Sequence, residues 1–561
     1  MAYNSTNHKI DAESIQAEAD ELLSNDLEIN SNIAVAKDEI KTPKLSQATK
    51  IVNFADGFEL FHTSDGEAFA TIDTGEHSEN HLLRSKSFRA WLSWQFYPSE
   101  GQMPGTQAVQ DAIAALEGKA IFDAPESEIY IRLASVDGKI YLDLCNEKWQ
   151  IVEIKKSGWR VVESNNAPIK FYRTKAMLPL PMPAKGGDVG KIRNFLTVDE
   201  SQYILICAFL VACLRPGYPF PIVIFTSEQG TGKSTAARIL RRLVDPNKTD
   251  FRSAPREERD LVIAASNAWL CSYDNISAVP NWQSDAFCRI STGGGFSTRT
   301  LYENTEETIF AAKRPILLNG IGEIANKGDL LDRAVLISLK PIPKNKRKTG
   351  AEFWKEFEND YVSMFSGLLD SLVTALQNIE KTELTHYPRM ADFAQWAAAA
   401  ESAFGFSKGS FIKAFEENQN SGNYIALEGS PFAETIQKFA ADKDYWKHNP
   451  KFEGNLQNFL DVLEKYTTDE IKKSKLYPKT PRGVRSKLER INPNLRAIGI
   501  NIELPPRTEQ VQMIVLEQRV FQPSEPSGTS ESPQTQDEKP DDAPDGWNAE
   551  SQTVSQPSRF K

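Results

Sequence analysis

The stretch FTSEQGTGKST, residues 225–235, constrains this chain more than any other. It follows the apolar run PFPIVI and precedes the amphipathic AARILRRL, so it reads as strand, glycine loop, helix. That is the setting of the phosphate-loop pattern GxxxxGK[ST], whose glycines let backbone N–H groups approach phosphate oxygens. The first position here is Ser227, so the strict pattern is not met. The flanking strand and helix still predict that Gly230, Thr231 and Gly232 wrap phosphates at a helix N-terminus, where the dipole favours anions. Lys233 is expected on the β- and γ-phosphates and Ser234 on Mg2+, with Thr235 completing the binding set. ATP and Mg2+ are the implied cofactors. The plainer alternative is a glycine turn followed by a surface lysine.

A phosphate loop needs a second strand that ends in a carboxylate for the metal. NAWLCSYDN (267–275) offers Asp274, about 40 residues after Lys233, although an aspartate there can also be a turn residue. Asn275 follows, where many ATPases of this kind carry a glutamate that orients water. Asparagine cannot accept a proton, so either another carboxylate such as Asp285 serves or water is only positioned and turnover is slow. RPILLNG (314–320) ends in Asn319, suited to hold an attacking water, or simply a strand-end turn. In KGDLLDRAVLISL, Arg333 precedes a further apolar strand. It could stabilise charge on a neighbouring subunit's γ-phosphate or pair locally with Asp329 or Asp332.

The succession of phosphate loop, YDNIS, ISTGGGFSTRTLYENTEETIFAAKRPILLNG and DLLDRAV resembles the ATPase core of superfamily 3 helicases, within the AAA+ class. Poxvirus- and phage-type primase-helicases and mobile-element replication ATPases carry the same plan. The resemblance implies a ring, often a hexamer, with ATP sites between subunits and single-stranded DNA in the pore. It covers 200–345 firmly and 350–515 more loosely. Two departures stand out: Gly295 replaces the aspartate that typically follows TGG, and the hairpin tip ENTEE (303–307) is acidic. Arg299, Lys313 and Arg314 flank that tip and could supply positive charge to DNA, or be solvated or sheet-edge residues. No primase signature is visible in 1–200.

The expected fold is α/β: a P-loop NTPase, AAA+-like parallel-sheet core with a strand-rich N-terminal domain, a helical lid and a C-terminal winged-helix-like domain. The expected bounds are a disordered acidic 1–49, a strand-rich 50–185, a core over 190–345, a lid over 346–430, a DNA-binding module over 431–520 and a disordered tail, 521–561. In the strand-rich part, SDG and VDG each sit between alternating apolar runs, a hairpin signal. Trp91, Trp94, Trp149 and Trp159 are read as core rather than base-stacking platforms. PLPMPAKGGDVG (179–190) reads as a linker.

The net charge of −11 argues against a nucleic-acid partner until its distribution is considered. Residues 1–50 hold nine acidic and five basic side chains and 521–561 hold eight and three, leaving about −2 between them. Residues 472–496 concentrate nine basic side chains against one acidic, in a helical pattern followed by two strand-like runs, GINIEL and VQMIVLE. That order resembles a winged helix, with Lys479, Arg482, Arg485, Lys487 and Arg490 near DNA phosphates; the alternative is a solvated charged face. The five scattered cysteines, without a CxxC pair, read as buried reduced thiols. YILICAFLVACL (203–214) is too short to span a bilayer and reads as a core helix, so a cytoplasmic protein with no membrane partner is expected. The leading function is an ATP-driven DNA helicase or replication ATPase of a phage or mobile element. Its expected partners are single- and double-stranded DNA, further copies of itself and replication proteins. A non-unwinding AAA+ loader or regulator is the second reading, and a small-molecule kinase a distant third.

Overall fold

A computed structural model of the chain describes residues 45–228, 230–299, 307–320, 328–474, 476–506 and 512–518. The expected disordered ends lie outside the described residues, except for 45–49, and so does the hairpin tip apart from the backbone of Glu307. The first unit contains α1 (Gln47–Phe54), β1 (Glu59–His62), β2 (Ala68–Asp73), β3 (Ser78–Leu82), α2 (Lys86–Glu100) and α3 (Thr106–Phe122). Its three strands form an antiparallel meander, and Ile51, Phe88, Leu92 and Leu116 make its own apolar core. A second antiparallel sheet follows: β5 (Leu133–Val136), β6 (Lys139–Asp143), β7 (Gln150–Lys155) and β8 (Gly158–Glu163), flanked by the short parallel pair β4 (Ile129–Tyr130) and β9 (Lys170–Phe171). The VDG signal is the β5–β6 turn, where Asp137 and Gly138 take φ of 52° and 71°, both left-handed as a tight two-residue hairpin turn requires.

The central layer contains α4 (Glu200–Cys213), β10 (Ile222–Phe225), α5 (Lys233–Val244), α6 (Glu258–Asn267), β11 (Cys271–Ile276), α7 (Asn281–Thr292), β12 (Gly295–Arg299), β13 (Glu307–Ala311), β14 (Ile316–Gly320), α8 (Gly328–Leu331) and β15 (Ala334–Ile337). Four strands form a parallel sheet in the order β11-β14-β10-β15, with the antiparallel β12–β13 hairpin outside it. Ile222, Val223, Ile224 and Phe225 are all fully buried, as a central parallel strand covered on both faces requires. Beyond the sheet come α9 (Gly350–Asn378), α10 (Ala391–Ala400) and α11 (Ser410–Glu428). The C-terminal unit runs α12 (Pro431–Ala440), α13 (Lys443–His448), β16 (Phe452–Asn455), α14 (Leu456–Leu463), α15 (Asp469–Lys473), α16 (Pro481–Ala497), β17 (Ile500–Glu503) and β18 (Met513–Gln518). Its sheet is antiparallel in the order β16-β18-β17, and Val484, Leu488 and Leu495 of α16 pack into a core with Ile502, Ile514 and Leu516.

The boundary expected near 185 does not separate two cores. Leu142, Val152, Ile154 and Trp159 of the second sheet share one apolar cluster with α4, α9, α10 and α11. Helix α9, opened by a capping box between Thr349 and Glu352, buries Phe357, Tyr361, Phe365, Leu368 and Leu372 and acts as the spine of that cluster rather than as a lid. The expected linker is docked on it. A Cβ at Gly187 would fall 2.1 Å from Gly367 N, and one at Gly367 would fall 2.3 Å from Val189 N, so both glycines permit the contact. Of the four tryptophans, Trp159 is buried and donates to Asp370 at 2.7 Å, Trp91 is half-buried among aromatics, and Trp149 lies under the Arg173 guanidinium at 3.8 Å. Trp94 departs from the expectation, being 62% exposed. Four cysteines are buried and Cys145 is half-buried. Among the described residues, no helix is long and apolar enough to cross a membrane.

Candidate functional site

The parallel sheet brings two polar strand positions, Asp274 and Asn319, to one edge. Phe225, the last residue of β10, lies beside Asn319 of β14, and β11 lies on the far side of β14. From that edge the chain turns through Thr226–Gly232 into α5, with Gly230 and Gly232 at φ of 82° and 86°. Glycine adopts these left-handed values without the strain a Cβ would bring. Lys233 is buried; its ammonium donates to the carbonyls of Ser227 and Glu228, the latter at 2.7 Å. Thr231 Oγ1 donates to the Glu228 carbonyl at 3.0 Å, closing the turn from within.

Ser234, Asp274 and Asn319 meet above this loop. Ser234 Oγ donates to Asp274 Oδ2 at 3.2 Å, while Asn319 Nδ2 donates to Asp274 Oδ1 at 2.7 Å and to Ser234 Oγ at 3.0 Å. A carboxylate only accepts, so Asn319 must turn its NH2 toward Asp274, which leaves Oδ1 buried without a partner among the described residues. An unpartnered buried acceptor is costly unless something fills it. The cluster lines an open cleft of about 430 Å3 together with Gly230, Gly232, Lys233, Thr235, Asn275 and Gly320. Hydroxyl and carboxylate oxygens side by side suit a hard divalent cation, and the glycine turn offers N–H groups beside a helix N-terminus. The residues present therefore fit Mg2+ and a polyphosphate.

Asn275 sits in a bulge of β11 at φ 57°, its N–H donating to Asp274 Oδ1 at 2.8 Å. Asparagine tolerates that conformation better than most residues, a reason for its presence independent of catalysis. Asp285 is on an exposed position of α7 and does not line the cleft, so the structure does not offer it as the second carboxylate. Among the described residues, Asp274 is the sole carboxylate lining the cleft.

Arg333 precedes β15 at the opposite edge of the sheet, where its carbonyl accepts from Ile222 N–H at 2.9 Å. It cannot reach the loop of its own chain. The structure holds it in the local pair: Arg333 Nη1 lies 2.5 Å from Asp329 Oδ1, and Arg389 approaches the same oxygen at 2.7 Å. Partial burial works against the Arg333 charge, but the Asp329 carboxylate outweighs it and its pKa is raised.

The expected DNA contacts divide. Arg314 is corrected: its Nε donates to the Ala265 carbonyl at 3.0 Å, its guanidinium lies 5.1 Å from the Trp269 ring, and burial lowers its pKa, so it is part of the packing. Lys313 donates to the Gly217 carbonyl at 2.7 Å and lies across Gly293, where a Cβ would clash with it. The backbone of Arg299 pairs with Glu307 across the hairpin, and its side chain lies outside the described residues. On α16 and the turn before it, Lys479, Arg482 and Arg490 are exposed and have no side-chain partner among the described residues. Arg485 is engaged with Glu489 at 2.9 Å and Gln512 at 3.0 Å. Lys487 donates to the Leu476 carbonyl, with its pKa lowered by burial and by Arg490. Three of the five are thus presented freely.

Sequence reasoning missed a buried network behind the site. Asp245, which ends α5, is fully buried; its Oδ1 accepts from Arg132 Nε at 3.0 Å, and its Oδ2 accepts from the N–H groups of Trp269 and Leu270 at 2.9 and 3.1 Å. Arg132 holds a left-handed φ of 63° and also reaches the carbonyls of Asp143 and Leu178. Trp269 and Leu270 lead directly into the strand carrying Asp274, so helix and strand are tied at both ends. Breaking a buried pair leaves an uncompensated charge. Asp245→Ala is expected to cost roughly 3–5 kcal/mol of stability, read as a fall in the urea midpoint, and Arg132→Met/Asp245→Leu together should cost less than either single change.

Strand, glycine turn and helix at one edge of a four-stranded parallel sheet define a mixed α/β protein with a polar cleft at the strands' carboxyl ends. Its affiliation follows from comparison with known families. Residues 189–420 match the model described as actinomycete integrative conjugative element replication protein, and residues 432–531 match the AICE RepA C-terminal domain. Over those residues the chain is similar to replication proteins of integrative conjugative elements, a class of mobile element. Comparison with curated proteins gave no match. Among solved structures, two forms of the NrS-1 C-terminal region align over 83% and 84% of this chain and 98% and 100% of theirs, at 12% and 11% identity. Their TM-scores are 0.36 and 0.38.

Proposed function

We propose that this chain is a P-loop, AAA+-like ATPase that drives DNA unwinding or remodelling during replication of a mobile element. The observation that carries the reading is the convergence of Ser234, Asp274 and Asn319 on one cleft above the Lys233 loop. In this reading Gly230, Thr231, Gly232 and Lys233 bind the phosphates of ATP, and Asn319 Oδ1 holds the attacking water. Mg2+, when bound by Ser234 and Asp274, supplies neutralising charge to the phosphates. Hydrolysis then moves the β12–β13 hairpin against single-stranded DNA. The C-terminal order of helices followed by a β-hairpin acts as a winged helix, with Lys479, Arg482 and Arg490 on duplex phosphates. Subunits assemble as a ring, where Arg333 leaves Asp329 for the neighbouring nucleotide.

Strand separation on a forked duplex tests the function: wild-type protein with ATP is expected to release the labelled strand, and Lys233→Ala is not. DNA-stimulated hydrolysis without strand release would instead establish a loader or regulator. That second reading is favoured by the lone cleft carboxylate and by Asn275, which point to slow turnover.

Arg333→Ala is expected to bind ATP normally and to lose turnover by roughly 10³-fold. Mixing it with Lys233→Ala subunits should restore part of the activity, because each mutant supplies what the other lacks. Full activity of Arg333→Ala alone would end the trans role.

A further inference from the structure

The segment after β15 returns to the phosphate loop. Thr226 N–H donates to the Ile337 carbonyl at 3.0 Å, and Leu339 N–H donates to the Ser227 hydroxyl. Ser227 thus makes a tie that the glycine of the strict pattern has no side chain to make. Three residues beyond Leu339, Ile342 approaches the loop: a Cβ built at Gly232 would lie 3.3 Å from Ile342 Cδ1, so this segment covers the loop's last glycine. From there the sequence reads Lys340-Pro-Ile-Pro-Lys-Asn-Lys-Arg-Lys348, five basic residues and no acidic one. Pro341 and Pro343 stiffen it, the latter at φ −55° and ψ 142°. Lys348 pairs with Glu356 and Arg347 Nε meets the Ile342 carbonyl at 3.4 Å. Lys340, Lys344 and Lys346 are exposed, with no side-chain partner among the described residues.

We propose that residues 340–348 form a cationic strap acting in cis on the polyphosphate of the bound nucleotide, with Lys340 and Lys344 favouring triphosphate over diphosphate. This rests on the reading of the loop as an ATP site. Both lysines stand two residues from Ile342, a span of at most about 7 Å at the chain's extended reach, and each adds a flexible four-carbon stem. The electrostatics require such a source. Among the described residues that line the cleft, Lys233 is the one cation and Asp274 the one carboxylate, so the cleft itself carries no net positive charge to set against a triphosphate. Anchoring at Ser227 and Gly232 directs the strap to the nucleotide rather than to DNA, whose candidate contacts are on β12 and α16.

The test measures equilibrium binding of fluorescent ATP and ADP analogues, and of single-stranded DNA, to the full chain and to Lys340→Gln/Lys344→Gln. Both positions are exposed, so folding is expected to be unchanged, checked by the melting curve. The strap predicts ATP binding weakened about tenfold, about 1.4 kcal/mol, ADP binding weakened less than threefold, and DNA binding unaltered. Unchanged ATP affinity, or equal loss for ATP and ADP, would overturn it; loss of DNA binding alone would assign the strap to nucleic acid instead. Failure of the wild type to bind ATP, or wild-type binding by Lys233→Ala, would strike the ATP site itself and not the strap.

Discussion

Asp274→Ala is expected to reduce ATP turnover by roughly 10³-fold, since charge neutralisation by a held metal is worth several kcal/mol in the transition state. Asp274 accepts from Ser234, Asn319 and the Asn275 N–H, so its loss removes the one carboxylate lining the cleft among the described residues and frees three donors at once. Nucleotide affinity measured in EDTA should change little, because the glycine turn and Lys233 remain. Affinity in the presence of Mg2+ should fall, and the concentration of Mg2+ for half-maximal activity should rise. A variant whose Mg2+ dependence matched the wild type would remove Asp274 from the metal site.

Asn319→Ala is expected to lower kcat by about 10²-fold while leaving KM nearly unchanged, the pattern of an interaction made only in the transition state. The side chain is 2% exposed and its Oδ1 has no partner among the described residues, so truncation removes a preorganised acceptor together with the Nδ2 bonds to Asp274 and Ser234. A rise in KM with unchanged kcat would instead make Asn319 a substrate-binding residue. Steady-state kinetics at saturating Mg2+ separate the two.

The parts of the site that were legible in the sequence are those encoded locally. A buried β-branched run followed by glycines and an amphipathic helix reads as strand, turn and helix, and strands that end in Asp274 and Asn319 announce polar groups at a sheet edge. The parallel register then brings them together. Pairs distant in sequence were not legible. Arg132 and Asp245 are 113 residues apart, and neither has a local pattern that marks it as buried. The same limit explains the domain boundary near 185: the second sheet buries Leu142 and Trp159 against helices more than 200 residues later, a contact no composition shift records. Arg314 read as a surface cation beside a hairpin, yet it packs under Trp269 because arginine can satisfy a buried guanidinium on backbone carbonyls. Ser227 looked like a defect in the motif; its hydroxyl is what ties the loop to the segment after β15.

The central claim is that the Ser227–Ser234 turn with Asp274 and Asn319 is a working Mg·ATP site. Its most direct test is the steady-state rate of ATP hydrolysis by the full-length protein, with and without single-stranded DNA, against Lys233→Ala at the same Mg2+ concentration. The account predicts slow hydrolysis by the wild type that rises with DNA and is lost in Lys233→Ala. Hydrolysis that persists undiminished in Lys233→Ala, or a folded wild type that hydrolyses no ATP under any of these conditions, would contradict it.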